Sequence, residues 1–384
     1  MRSEVFKTIV GFIKSKYPAQ DFIPLHAPLF IGNEREYVLD AIDSTYVSSV
    51  GEYVNKFEEV ICQITGAKYC TAIVNGTSAL HMALLLADVK RDDEVLSQSL
   101  TFIATCNAIS YLGAKPVFID VDKDSLGMSP SSLLDYLENN TEKKADGFTY
   151  NKHTQKRIKA CVPMHTFGLP GRIDEIADIC RTFNIVLVED AAESIGSYYK
   201  DKHTGVFGIM GTFSFNGNKT ITCGGGGAIV TNDPVIAKRA KHLTTQAKVP
   251  HQWAFVHDGI GYNYRMPNLN AALACAQLEQ LEAFVQDKRQ LAQEYSAFFA
   301  EIGIEFITEI KDSKSNYWLN GILLKDKEER EEFLKYSNSN GVMTRPTWEL
   351  MHLLSMFDSA QRGDLSNSVW LADRLVNIPS SVRL

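Results

Sequence analysis

The chain has 384 residues, 45% of them hydrophobic and 22% charged, enough for one large domain and a smaller companion in an ordinary soluble protein. A net charge of −7 without a long basic run argues against a nucleic-acid surface, and no stretch approaches the roughly twenty apolar residues of a membrane helix. Seven dispersed cysteines without a CxxC pair argue against a disulfide framework or structural zinc, and reduced thiols in a cytoplasmic protein are the expectation.

The first apolar segment, Val5 to Ile13, is interrupted by Lys7 and followed by no small-residue cleavage site. It predicts an amphipathic helix packed on the body, within an N-terminal segment of residues 1–20. From about residue 70 to 230 short β-rich runs alternate with helical stretches, the pattern of crossover-connected parallel strands. Strands are expected at Thr71 to Val74, Glu94 to Ser97, Pro116 to Ile119, Lys159 to Pro163, Ile185 to Glu189, Gly211 to Phe215 and Gly227 to Thr231. Several are continuously apolar, as strands covered on both faces are. Helices fill Ser78 to Leu86 and Ile173 to Phe183, and the polar stretch Asn139 to Arg157 reads as a surface insertion with solvated charges. Residues 21–260 are thus read as one large α/β domain around a mostly parallel, seven-stranded sheet. From Pro267 to about Phe299 the spacing of Leu269, Leu273, Leu278, Leu281 and Val285 predicts one long helix bridging to a smaller α+β domain, the unit spanning 261–384. That unit holds predicted strands near Ile304 to Ile307, Tyr317 to Leu324 and Val342 to Arg345, and a charged helix from Lys327 to Ser339.

Four segments at strand ends carry chemistry. Asn75-Gly76-Thr77-Ser78-Ala79-Leu80 is a glycine turn opening a helix; its amides, dipole and hydroxyls suit a phosphate, and it is equally what a plain N-cap gives. Thr101-Phe102 follows a strand and could lay an aromatic face on a flat ring or simply fill the core. Val186 to Glu193 ends a strand in acids, and Asp190 there could pair with a protonated pyridine nitrogen, cap the next helix or bind a metal. Finally, Phe213-Ser214-Phe215-Asn216-Gly217-Asn218-Lys219 runs on to four glycines, Gly224 to Gly227. It pins one lysine beside a turn where glycine lets backbone approach a bulky ligand, and a confined amine can attack a carbonyl. The lysine lies 29 residues after Asp190. Phosphate turn, aromatic, acid and lysine, in that order, point to a lysine that forms a Schiff base with pyridoxal 5′-phosphate (PLP).

Rival motifs fail. Gly211 to Gly217 encloses five residues and Asn218 intrudes before Lys219, so there is no P-loop, and Gly205, Gly208 and Gly211 are misspaced for a dinucleotide fingerprint. Gly168-Leu169-Pro170-Gly171-Arg172 reads as a loop. The nine histidines show no HxxxH or HExxH spacing, so no catalytic metal is expected. His165, at a strand end, either meets a ligand or is a hydrogen-bonded pocket wall.

These segments, together with Gly-Tyr-Asn-Tyr-Arg-Met-Pro at 261–267, resemble the DegT/DnrJ/EryC1/StrS sugar aminotransferases over nearly the whole chain. The Asn-Gly-Asn-Lys and four-glycine variants look most like a LegC-type subgroup. The resemblance implies PLP fold type I, similar to aspartate aminotransferase, in a homodimer with shared active sites. It implies amination at C4 of a UDP-linked 4-keto-6-deoxy-N-acetylhexosamine, on routes to bacillosamine and legionaminic acid. By motif, Lys219 would be the Schiff-base lysine and proton shuttle, and Asp190 would meet the ring nitrogen. Glu193, where many members have Gln, would lie near the ring hydroxyl. Gly76, Thr77, Ser78 and Ser214 would hold the phosphate, Phe102 would stack on the ring, and Asn263 would reach the phosphate from the neighbouring subunit. The nucleotide diphosphate needs cations, for which Arg265, Arg345 and Lys248 are candidates or surface ion-pair residues; Trp348 and His352 could line the sugar pocket or pack the small domain. A 3-keto sugar aminotransferase and a non-catalytic PLP-binding regulator are the alternatives.

Overall fold

The structure, a computed structural model, describes residues 2–384. In chain order its elements begin with α1 (Arg2–Lys16), α2 (Glu34–Asp43), α3 (Glu52–Thr65), β1 (Tyr69–Ile73), α4 (Gly76–Leu86), β2 (Glu94–Gln98), α5 (Ile103–Tyr111) and β3 (Lys115–Ile119). Next come α6 (Pro130–Asn140), β4 (Thr141–Lys143), β5 (Thr149–Asn151), β6 (Ile158–Val162), α7 (Ile173–Thr182), β7 (Val186–Asp190), β8 (Tyr198–Tyr199), β9 (Lys202–His203), β10 (Met210–Ser214) and β11 (Gly227–Thr231). The chain continues through α8 (Pro234–Thr244), α9 (Asn268–Leu278), α10 (Leu281–Glu301), β12 (Glu305–Phe306), β13 (Ser313–Lys314), β14 (Asn320–Leu323) and α11 (Lys327–Ser339). It ends with β15 (Arg345–Pro346), β16 (Gln361–Arg362), α12 (Ser366–Ala372) and β17 (Leu375–Ile378).

All seven expected strands join one sheet, in the order β1-β11-β10-β7-β6-β2-β3, and β16 adds an eighth at the edge. The pairs from β10 through to β16 are parallel, and only β11 runs against its two neighbours. Alternate strand residues feed opposite layers, as the pleat requires. Val95 and Val188 meet α4, α5 and α8 on one face. Leu96 and Leu187 meet α6 and α7 on the other, where Phe213 and Val230 also meet α3 and α9. The helices follow local rules: α3 buries Val54, Phe57 and Ile61 on one stripe and ends at Gly66 with φ 74°. Asp233 caps α8 ahead of Pro234, and Asp326 caps α11.

A second, antiparallel sheet, β12-β14-β17-β15, packs with α1, α10 and α11 in a separate core. The N-terminal helix forms and its aromatic face lands here: Phe12 stacks on Phe298 at 3.9 Å, and Phe6 meets Phe333 at 5.4 Å.

Two expectations are corrected. The long helix is two, α9 and α10, parted at Glu279–Gln280. The small side chains of α9 are buried nearly all round, between α2 and α3, whereas α10 must turn away to reach the second sheet; no Gly or Pro marks the break. The insertion at 139–157 is tied down instead of merely solvated. Its hairpin β4/β5 buries Asn151, which donates to Glu94 at 2.8 Å, and Arg157 makes a forked pair with Asp93.

Candidate active site

Because β1, β10, β7, β6 and β2 all run one way, their carboxyl ends open on one side of the sheet, where open α/β sheets bind ligands. A cavity of about 310 Å³ lies there. The ends of β1, β6, β7 and β10 contribute Asn75, Met164, Asp190 and Ser214 to its lining, beside Phe102, Glu193, Asn218, Lys219, Trp318 and Trp348. A wider hollow of about 730 Å³ between α3 and α8, bordered by Glu58, Glu59, Lys238 and Lys241, lies away from these strand ends.

Lys219 projects into this cavity from the loop after β10. Its Nζ is 3.0 Å from Glu193 Oε1 and 3.8 Å above the Trp318 ring. Glu193 is buried, and desolvation raises its carboxyl pKa to about 7 against the pull of Lys219 and of the Phe167 amide, which donates to Oε2 at 2.8 Å. Phe167 holds that amide in place with a left-handed φ of 58°, the kind of stored strain that collects at working sites. The indole Nε1 of Trp318 donates to the Asn218 carbonyl at 2.6 Å, fastening the lysine loop to the second core.

Asp190 ends β7, fully buried, and burial pushes its carboxyl pKa up. Two donors oppose that push: Thr105 Oγ1 at 2.7 Å to Oδ2 and the Ala192 amide at 3.2 Å to Oδ1.

The turn opening α4 is capped by Asn75, whose Oδ1 accepts from the Ser78 amide at 2.7 Å. Gly76 follows, and a Cβ there would meet Ser214 Cβ at 2.7 Å. Bare backbone, the Thr77 and Ser214 hydroxyls and the positive end of α4 thus face one space that a phosphate could occupy. Ser78, whose amide is already engaged, is absent from the lining. Phe102, 46% exposed, and Trp348 form the mouth, with rings 5.9 Å apart. Anion-binding turn, hydroxyls, buried acid, aromatic lid and amine fit a phosphorylated pyridine aldehyde.

Other candidates lie elsewhere. His165 is not in the cavity: its Nε2 faces Glu189 at 3.1 Å and its Nδ1 accepts from the Gly171 amide at 3.3 Å, so both nitrogens are engaged in the wall. Arg265 pairs with buried Glu58 at 3.1 Å, and Lys248 lies over the Phe255 ring. Both border a separate hollow of about 540 Å³. Arg345 bonds Asn338, and His352 bonds Ser99 at 2.7 Å. Asn263 is exposed and bridges to Thr245, away from the cavity of its own chain. The four-glycine run is also absent from the lining. Gly224 serves a left-handed turn with φ 78°, and Gly227 lets β11 pass the Asn75 carbonyl, which an added Cβ would meet at 2.5 Å. Gly227 thus seats the α4 turn, and none of the four lines the cavity.

Sequence reasoning missed Trp318, Met164, Asn216 and Asn218 in the lining, and Thr105 behind it. The two asparagines flank Lys219 and were within reach of a reading of that loop; Trp318 comes from the second core and carries no local signal.

The sequence pattern of the DegT/DnrJ/EryC1/StrS aminotransferase family matches residues 30–384. The chain belongs to that family. It is 38% identical over 360 residues to a GDP-perosamine synthase of Escherichia coli O157:H7, covering 94% of this chain and 93% of that one. It is 37% identical to the putative pyridoxal phosphate-dependent aminotransferase EpsN of Bacillus subtilis, covering 88% and 84%. Its fold matches the aminotransferase TlmJ of Streptoalloteichus hindustanus with a TM-score of 0.85 at 25% identity, over 94% and 93% of the two chains.

Proposed function

We propose that this enzyme moves an amino group from an amino acid, glutamate being the first donor to test, onto C4 of a nucleotide-linked 4-keto-6-deoxy sugar. By family it is a PLP-dependent transaminase of nucleotide sugars. The observation that carries the reading is Lys219 Nζ in the cavity beside buried Glu193, with Asp190 and the α4 turn around the same space.

When bound, PLP supplies an electron sink for the carbanion that transfer of the amino group requires. In this reading Lys219 Nζ moves the proton between donor carbon and cofactor, and then returns one in the second half. Glu193, its carboxyl pKa raised to about 7 by burial, lies 3.0 Å from that amine and positions it. Asp190 would hold the ring nitrogen protonated, and Gly76, Thr77 and Ser214 would hold the phosphate. Phe102 and Trp348 exclude water at the mouth, Trp348 on the sugar side. Asn263 and the diphosphate-binding cations act on the neighbouring subunit of a homodimer. That arrangement is supported by the outward position of Asn263 and by the run beside it, where Trp253, Phe255 and Ile260 are 76%, 82% and 86% exposed. No helix among the described residues is long and apolar enough to cross a membrane, which is compatible with a cytoplasmic enzyme.

The sequence resemblance favours a UDP-linked N-acetyl sugar; the E. coli relative, named for a GDP sugar, favours GDP. Mass spectrometry of product from glutamate with UDP-4-keto-6-deoxy-GlcNAc, and in parallel with a GDP-linked 4-keto-6-deoxyhexose, decides between them. One arm should gain an amine, and Lys219→Ala should give none in either. Amination of only a 3-keto sugar nucleotide would move the reading to that substrate. A protein whose cofactor absorbance ignores glutamate would instead be a PLP-binding regulator.

A further inference from the structure

Asp190 is a buried carboxylate whose environment, apart from Lys219, is mostly apolar or neutral, and something must keep it charged. Its neighbour on α5, Thr105, carried no signal in the sequence. Thr105 lies on the first turn of α5, fully buried, with Oγ1 2.7 Å from Asp190 Oδ2. Thr101, one turn earlier and equally buried, places its Oγ1 2.9 Å from Thr105 Oγ1 and 3.1 Å from Met164 Sδ.

Each hydroxyl has a single hydrogen. An ionised carboxylate only accepts, so the Thr105 hydrogen goes to Asp190 and the Thr105 oxygen is left free to accept from Thr101. The single Thr101 hydrogen has two acceptors in reach, Thr105 Oγ1 and the weaker Met164 Sδ; given to the stronger one it makes a directed chain, Thr101 to Thr105 to Asp190, whose last bond, to a charged group, is the strong one. Reversing it would require a proton on Asp190. The same turn of helix carries Phe102, so α5 sets the aromatic lid and the acid together.

Resting on the proposed role of Asp190, we infer that Thr105 is a positioning residue. Its hydroxyl, held by Thr101, keeps the Asp190 carboxylate ionised and aimed into the cavity. The other titratable groups facing Asp190 are Lys219 and His165, with Cys106 and Glu193 close by. No side chain among them donates a hydrogen bond to its carboxylate among the described residues.

The test uses the holoenzyme. Thr105→Val keeps shape and removes the donor; Thr105→Ser keeps the donor; Thr101→Val removes the support without touching Asp190. In Thr105→Val, the pH midpoint of the visible absorbance of the bound cofactor should rise by about one unit, because a less ionised Asp190 holds less charge on the ring. The half-reaction with glutamate should slow about tenfold to hundredfold. Thr105→Ser should behave as wild type, and Thr101→Val should shift the midpoint the same way by less. Wild-type midpoint and rate in a folded Thr105→Val, alongside an impaired Asp190→Asn, would overturn the inference alone. An unimpaired Asp190→Asn would overturn it together with the reading beneath it.

Discussion

Lys288 shows how much a single buried side chain can cost. It is fully buried in α10, and its Nζ donates to the Trp318 carbonyl at 3.2 Å and to the Ser380 carbonyl, with no carboxylate bonded to it. Burial lowers its pKa from 10.5 to about 7. The unfolded chain therefore binds a proton across that window which the folded chain does not, so folding stability rises with pH from about 7 towards 10.5. Below about 7 the cost of burying the charge is complete, and the span is worth on the order of a few kcal/mol. Wild-type stability relative to Lys288→Met, measured by urea unfolding, should rise between pH 7 and 9 as the cost of burying the charge is removed. A difference that stays flat would mean the amine is charged, or neutral, throughout.

At the scale of elements, the first turn of α4 and the last residue of β10 press together so closely that side-chain volume decides whether a ligand fits. Gly76→Ala would set a Cβ 2.7 Å from Ser214 Cβ and 3.4 Å from its Cα, and a strand residue cannot swing aside as a long flexible side chain can. Alanine is otherwise a better helix former than glycine. The clash should outweigh that gain, so the variant should melt lower than wild type and lose cofactor affinity about tenfold or more, read by fluorescence titration of the folded apoprotein. Unchanged affinity would take the phosphate away from this turn. The parting of α9 from α10 belongs to this scale too. The helical spacing from Leu269 to Val285 is real in both halves, and only the separate partners of the two halves impose the break.

For the whole molecule, the exposed Asn263 beside an apolar loop makes the proposed homodimer testable by mixing. Lys219→Ala and Asn263→Ala should each be inactive. If each site draws Asn263 from the partner subunit, a mixed dimer carries one intact site, and co-refolded equal amounts should recover about a quarter of wild-type activity. No recovery would place both residues in one chain's site.

The sequence by itself determined seven strands of the large sheet, a glycine turn opening a helix at 75–80, Asp190 at a strand end and Lys219 in its loop. Apolar period and turn chemistry act over a few residues, and each of these features is local. Tertiary structure alone decided that Trp318 lies against Lys219, that α1 belongs with the second sheet and that His165 is spent on Glu189. It also decided that Gly227 seats β11 against Asn75. Those outcomes depend on which distant surfaces meet once the layers close, and side-chain pairings between separate cores leave no period or spacing along the chain.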